Sequence, residues 1–252
     1  QSEYSDTFIM GTGDVLEVPS PYATIQAAID AASAPDTVLV APGTYNETIM
    51  LKDGVTVLSS GGRSTTTITY SSGAVVTAVG MSDLTLLNGF TIDGGGSAMG
   101  LDVWSLYLQI EDCAFVNGNP GVNSRYGDYS TLLGNTISAN ANGVTVSDTS
   151  RPFLSGNLIE LNTFSGIYNT SNPGPEVGRT LADANDIFDN AFFQVFNTTA
   201  VAVDPGTGVA SFNWLSLDTA GVGYTLTASG DTVSTVPGAV VRGACTAGVF
   251  PL

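Results

Sequence analysis

The chain has 252 residues, 43% of them hydrophobic and 30 of them Gly, with six Lys and Arg against 23 Asp and Glu and no His, for a formal net charge of −17. That balance excludes nucleic acid and an anionic membrane surface as natural partners. The missing His removes imidazole acid–base chemistry and the commonest transition-metal ligand, so neither a metal nor another cofactor is expected.

The chain starts at Gln1 and carries neither a signal-type apolar region nor an apolar run long enough to span a bilayer. It reads as a processed, secreted or cell-surface protein without membrane insertion. Sequons at Asn46, Asn169 and Asn197 fit a secreted glycoprotein, although such triplets also arise by chance in a Thr-rich chain. Cys113 and Cys245 either form one disulfide or leave Cys113 as a small buried thiol.

Residues 1–20 hold two β-prone patches, Thr7–Met10 and Val15–Val18, that have no place in the register that follows. Ile25, Ala28, Ile29 and Ala32 then form a one-sided apolar stripe, which predicts a helix over Thr24–Ala34, stopped by Pro35 and capping the open end of a coil. Asp36–Val40 reads as a strand, Ala41–Tyr45 as a turn and Val55–Leu58 as the next strand.

From Leu84 to Leu217 one pattern recurs: GFTID at 89–93, DCAFV at 112–116, GNTIS at 134–138, GNLIE at 156–160, ANDIF at 184–188 and FNWLS at 212–216. Its apolar anchors Ile92, Phe115, Ile137, Ile159, Ile187 and Leu215 are spaced by 23, 22, 22, 28 and 28 residues, the period of a solenoid. Two positions earlier, Asn135, Asn157, Asn185 and Asn213 are placed to form a hydrogen-bonded ladder. Five positions before the anchor stand Leu87, Ile110, Leu132, Leu154, Ala182 and Ala210. A Gly-aliphatic step recurs at Gly100, Gly121, Gly143 and Gly166, where Gly suits a corner of positive φ.

The longer late spacings imply insertions near Thr170–Gly178 and Thr198–Gly208. The reading is an all-β chain forming one single-stranded, right-handed parallel β-helix with a short N-terminal capping helix. Residues 1–20 form an extension, 21–221 the β-helix and 222–252 final strands or a cap.

The segment YATIQAAIDAASAPDTVLVAPGTYNETIMLKDGVTVLSS (22–60) resembles the start of pectin-lyase-like right-handed β-helices, including pectin methylesterases, and the Asn ladder resembles the same superfamily. The resemblance implies the fold more than an activity. Pectin methylesterase signatures find only weak counterparts in Asp186-Ile187-Phe188-Asp189 and Ser150-Arg151-Pro152-Phe153. The polygalacturonase motifs are absent, as is a Ca²⁺-binding carboxylate cluster of the pectate lyase kind.

Asp93 and Glu160 share a column but lie three turns apart, roughly 14 Å at strand spacing, too far for paired glycosidase carboxylates. Asp183, Asp186 and Asp189 read as solvated or corner-bonding acids rather than an acid–base pair. Tyr107, Tyr129, Arg151 and Arg179, each eight residues before an anchor, form either a strip for an anionic polysaccharide or a set of arginines neutralised locally by Asp148 and Glu176.

Three functions follow as expectations. The leading one is a secreted, non-catalytic structural subunit that polymerises with itself into a filament or surface layer by end stacking or strand addition through Phe8, Ile9, Val15 and Leu16. The others are a polysaccharide-binding or adhesin module and a pectin-type lyase or hydrolase.

Overall fold

The computed structural model of the protein describes residues 13–171, 174–178 and 184–197. One turn of the chain consists of three short strands, for example Leu108–Glu111, Ala114–Val116 and Val122–Ser124, each of which pairs in parallel with its counterpart one turn on. Repetition builds three sheets, here A, B and C, with eight, seven and seven strands among the described residues. This is the right-handed parallel β-helix expected from the repeat.

Two to six residues per strand suffice because alternate side chains point into one shared core. In sheet B, Ile68, Ile92, Phe115, Ile137 and Ile159 lie in one register and are all fully buried; Ile187 continues the column, partly buried. Leu215 lies outside the described residues. Leu87, Ile110, Leu132 and Leu154 form the sheet A column, and Leu101, Val122, Val144 and Ile167 that of sheet C. Each such side chain stabilises the stack by about 1.5–3 kcal/mol through burial.

The last columns correct the sequence register. Leu154 pairs with Val177, not with Ala182. Leu154 to Val177 is nearly the ordinary period, whereas Val177 to Ile187 is ten residues against five from Leu154 to Ile159. The first insertion therefore falls mainly after Val177, beyond the Thr170–Gly178 stretch, because insertions collect at corners where no ladder is broken. The Thr198–Gly208 insertion and the 222–252 segment lie outside the described residues.

At the N-terminus, Val15–Val18 is not a stray strand. It pairs in parallel with Thr37–Val40, placing Leu16 and Val18 on Val38 and Val40 with both side chains buried. The helix spans Ile25–Ala31, capped by the Thr24 hydroxyl, and buries Ile25, Ala28 and Ile29. The first turn clamps both its ends. Glu47 accepts the N–H groups of Ile25 and Gln26 (3.0 Å each), and Lys52 Nζ donates to the carbonyls of Asp30 (3.0 Å) and Ala32. Both charges oppose the helix dipole. The proposed turn Ala41–Tyr45 instead holds a sheet B strand, Gly43–Asn46.

Two corners repeat one device. Between sheets A and B, Gly134 and Gly156 adopt φ of 62°, which aims the next residue, Asn135 or Asn157, inward. Asn157 Oδ1 accepts the backbone and side-chain N–H of Asn135 (2.9 and 3.0 Å), and Asn157 Nδ2 donates to Leu132 O (2.9 Å) and Asn185 Oδ1 (2.8 Å). That is the expected ladder, with Asn213 outside the described residues. Cys113 fills the rung before Asn135. It is a free, buried thiol pushed up to about 12 by burial, and its backbone N–H donates to Asn135 Oδ1 (2.9 Å). Cys245 lies outside the described residues.

A second ladder, Asn140–Asn162–Asn190, occupies the corner between sheets B and C with the same bonding. It sets the role of the recurrent Gly. A Cβ on Gly143 would meet Gly166 O at 2.5 Å and Asn162 Nδ2 at 2.9 Å, so close approach to this ladder, not positive φ, requires glycine there.

Candidate functional site

The third corner, between sheets C and A, carries the chemistry. Ser124 ends a sheet C strand; the chain then passes through Tyr126 (φ 56°) and Gly127 (φ 78°) and turns Asp128 fully into the interior. Asp128 Oδ1 accepts from the backbone N–H groups of Ser105 (3.2 Å) and Ser130 (3.1 Å); Oδ2 accepts from the hydroxyls of Ser124 (2.7 Å) and Ser130 (2.8 Å). A carboxylate folded inward forces its neighbours outward, leaving Tyr126 and Tyr129 62% and 50% exposed.

None of those four donors is charged. Burial, the larger effect, pushes the Asp128 carboxyl above the usual carboxylate range against the hydrogen bonds that pull it down. A group whose pKa is raised by folding contributes stability that is complete below its ordinary value and is lost as pH rises through the folded value. The stability of wild type relative to Asp128→Asn, measured by urea unfolding at a series of pH values, is therefore expected to fall as pH is raised from about 4. A constant difference across that range would contradict the assignment.

On the outer face beside this corner, Arg125 forms a bidentate ion pair with the buried Asp102 (Nε to Oδ1 2.8 Å, Nη2 to Oδ2 2.6 Å), and Asn123 Nδ2 donates to the same carboxylate (2.9 Å). The guanidinium lies 4.6 Å from the Trp104 ring centroid and 4.7 Å from that of Tyr126, whose rings meet edge to face at 6.0 Å. The pair fixes the arginine and the arginine fixes the rings, so this is a rigid aromatic platform. Leu106 and Tyr107, both more than half exposed, extend it across the corner.

The sequence-derived strip survives in part. Arg151 follows Tyr129 in register, its N–H donating to Asp128 O (2.7 Å), but the N–H of Tyr129 goes to Ser105 O (2.7 Å), so Tyr107 is offset by a residue. Arg179 lies outside the described residues. Glu176 bonds Arg151 across the turn (3.2 Å), and Asp148 accepts from Ser147 Oγ (3.0 Å). Trp104, Arg125 and Tyr126 were not singled out by their anchors, although Trp104 and Tyr126 stand one 22-residue period apart.

Other candidates fall away from this surface. Asp93 and Glu160 are three strands apart in sheet B, as their spacing requires, and Asp93 Oδ1 accepts from Gly95 N (2.9 Å) and Asn117 Nδ2 (3.1 Å). Asp186 and Asp189 are exposed; Asp183 lies outside the described residues. Among the described residues no group of three or more His, Cys, Asp or Glu is placed to hold a metal ion, and no helix is long and apolar enough to cross a membrane.

Of the assembly residues, Val15 and Leu16 belong to the chain's own sheet, and Phe8 and Ile9 lie outside the described residues. Of the sequons, Asn46 is exposed. Asn169 is buried, its Oδ1 accepting the Ser171 N–H (3.0 Å); the Asn197 side chain is outside the described set.

Residues 15–229 match the family model described as "Periplasmic copper-binding protein (NosD)". No curated protein matches. Among solved structures, ORF18 of Geobacillus virus E2 is similar at 17% identity with a TM-score of 0.48, over 72% of this chain and 40% of that one.

Proposed function

The chain belongs to the NosD family of right-handed β-helix proteins, and from that premise we propose that it is a non-catalytic carbohydrate-binding protein that acts outside the cytoplasm. The observation that carries this reading is the platform of Trp104, Arg125 and Tyr126, with Leu106, Tyr107 and Tyr129 exposed beside it. Rigid aromatic faces with a few fixed polar groups are what a sugar ring needs for stacking and orientation. The periplasmic description of the family supports the location.

The copper of that description does not fit the described residues; Met10 and Cys245 lie outside them. Copper sites draw on imidazole, thiolate and thioether donors. The sequence has no His. Cys113 is buried with its thiol pushed up to about 12. Met81 is buried, and Met50 and Met99 stand in different columns of sheet C.

Electrophoresis through gels containing soluble neutral β-glucan, galactomannan or dextran tests the proposal. The wild-type protein should be retarded by at least one of them, and Tyr126→Ala/Tyr129→Ala should bind roughly tenfold more weakly, the effect of losing about 1.4 kcal/mol. Unretarded migration in every gel would refute it. A second reading, assembly by strand addition, has in its favour that Val15–Val18 is the outermost described strand of sheet A. A monomeric mass by sedimentation at high concentration ends that reading.

A further inference from the structure

We infer that the surface takes a neutral glycan laid along the solenoid axis on sheet C, rather than an acidic one; the inference rests on the carbohydrate-binding reading above. The charge argument comes first. Arg125 is consumed by Asp102 in a bidentate pair, and Arg151 is bonded to Glu176. Arg63, on the far corner, is shared between Asp112 and the carbonyls of Cys113 and Gly134. The platform's own cation is thus neutralised in place, on a chain of net charge −17. Among the described residues no free arginine stands at the platform to offset the repulsion a polyuronate would meet, whereas sugar hydroxyls donate readily to carboxylate and amide oxygens.

The footprint follows from the register. Asp102, Asn123, Thr145 and Tyr168 occupy one outward column on four successive strands of sheet C. Asp102 adjoins Trp104 and Tyr126 through Arg125, while Tyr168 stacks on Phe196 of the next strand (centroids 5.1 Å apart, planes 11° apart). Since that separation matches the strand spacing, the ring normals run along the axis and the unstacked face of Tyr168 looks back towards Thr145. Aromatic groups therefore bound a polar strip at both ends over roughly 14 Å, the reach of a short oligosaccharide rather than a monosaccharide.

Titration calorimetry separates this inference from the reading beneath it. The probes are oligosaccharides of β-glucan, galactomannan and dextran, and oligogalacturonates, each at low and high salt. The expected result is binding of at least one neutral series that strengthens from mono- to tetrasaccharide, is insensitive to salt, and weakens several-fold in Tyr168→Ala. Asp102→Asn, which frees Arg125, is expected to raise affinity for oligogalacturonates several-fold, and the gain should vanish at high salt. Tighter binding of oligogalacturonates by the wild type would overturn the inference and leave carbohydrate binding standing. So would neutral binding indifferent to both chain length and Tyr168→Ala. Absence of binding to every probe would overturn both.

Discussion

Gly143→Val is expected to be the most damaging single substitution in the described part of the chain. The first added carbon would sit 2.5 Å from Gly166 O, 2.9 Å from Asn162 Nδ2 and 3.0 Å from Ile159 Cγ2. Two of these neighbours cannot yield cheaply, because the first is backbone and the second is bonded to Asn190 Oδ1 (2.8 Å) within the second ladder. Relief requires the turn to shift and the ladder to break, a loss of about 4 kcal/mol or more, at the upper end for single substitutions. Gly156→Ala is the informative comparison. That glycine has a φ of 62°, and a Cβ there meets nothing closer than 3.9 Å, so its cost is the left-handed backbone alone, about 1–2 kcal/mol. Urea denaturation of both variants gives the order directly; equal losses would mean that backbone conformation, not close approach, governs the Gly143 column.

Asn157→Ala ranks next. It orphans the backbone N–H of Asn135, whose partner is Asn157 Oδ1, and removes the bonds from Asn157 Nδ2 to the Leu132 carbonyl and to Asn185 Oδ1, leaving only the backbone N–H of residue 157 on Asn185. One buried N–H left unpaired, with the neighbouring amide bonds lost, amounts to about 2–4 kcal/mol. For a chain of this size that is roughly a 10 °C drop in melting temperature, measurable by calorimetry. Ser138→Ala, on the outward face of sheet B, should stay within about 0.5 kcal/mol as a control. A loss at Asn157 no greater than at Ser138 would show that the ladder adds nothing to the stack.

The parts of this fold legible in the sequence are those fixed by strict periodicity. Ile92, Phe115, Ile137 and Ile159 share a column because a strand keeps its side-chain phase from turn to turn. Asn135, Asn157 and Asn185 are equally regular, since a two-sided amide bond needs the same position on each rung. The second ladder was equally periodic, but its rungs lie five residues beyond the first, outside the anchored motif. Counting backwards from the anchors failed at Val177 because the extra residues fall between it and Ile187.

The platform was hidden for a related reason. Trp104, Arg125 and Tyr126 lie at a corner whose length changes from turn to turn, and the ion pair that organises them crosses between Asp102 on one strand and Arg125 past the end of the next. No single column contains both partners. The placement of Val15–Val18 was obscured by its distance from Thr37, with a helix between them.

Tryptophan emission tests the central proposal most directly, because the chain has only two Trp residues and Trp214→Phe leaves Trp104 as the sole reporter. Titrating that variant with the neutral oligosaccharide it binds by calorimetry should change Trp104 emission with the same midpoint, and Tyr126→Ala in the same background should weaken both responses together. Binding by calorimetry with Trp104 emission unchanged would place the sugar elsewhere on the coil and contradict the account.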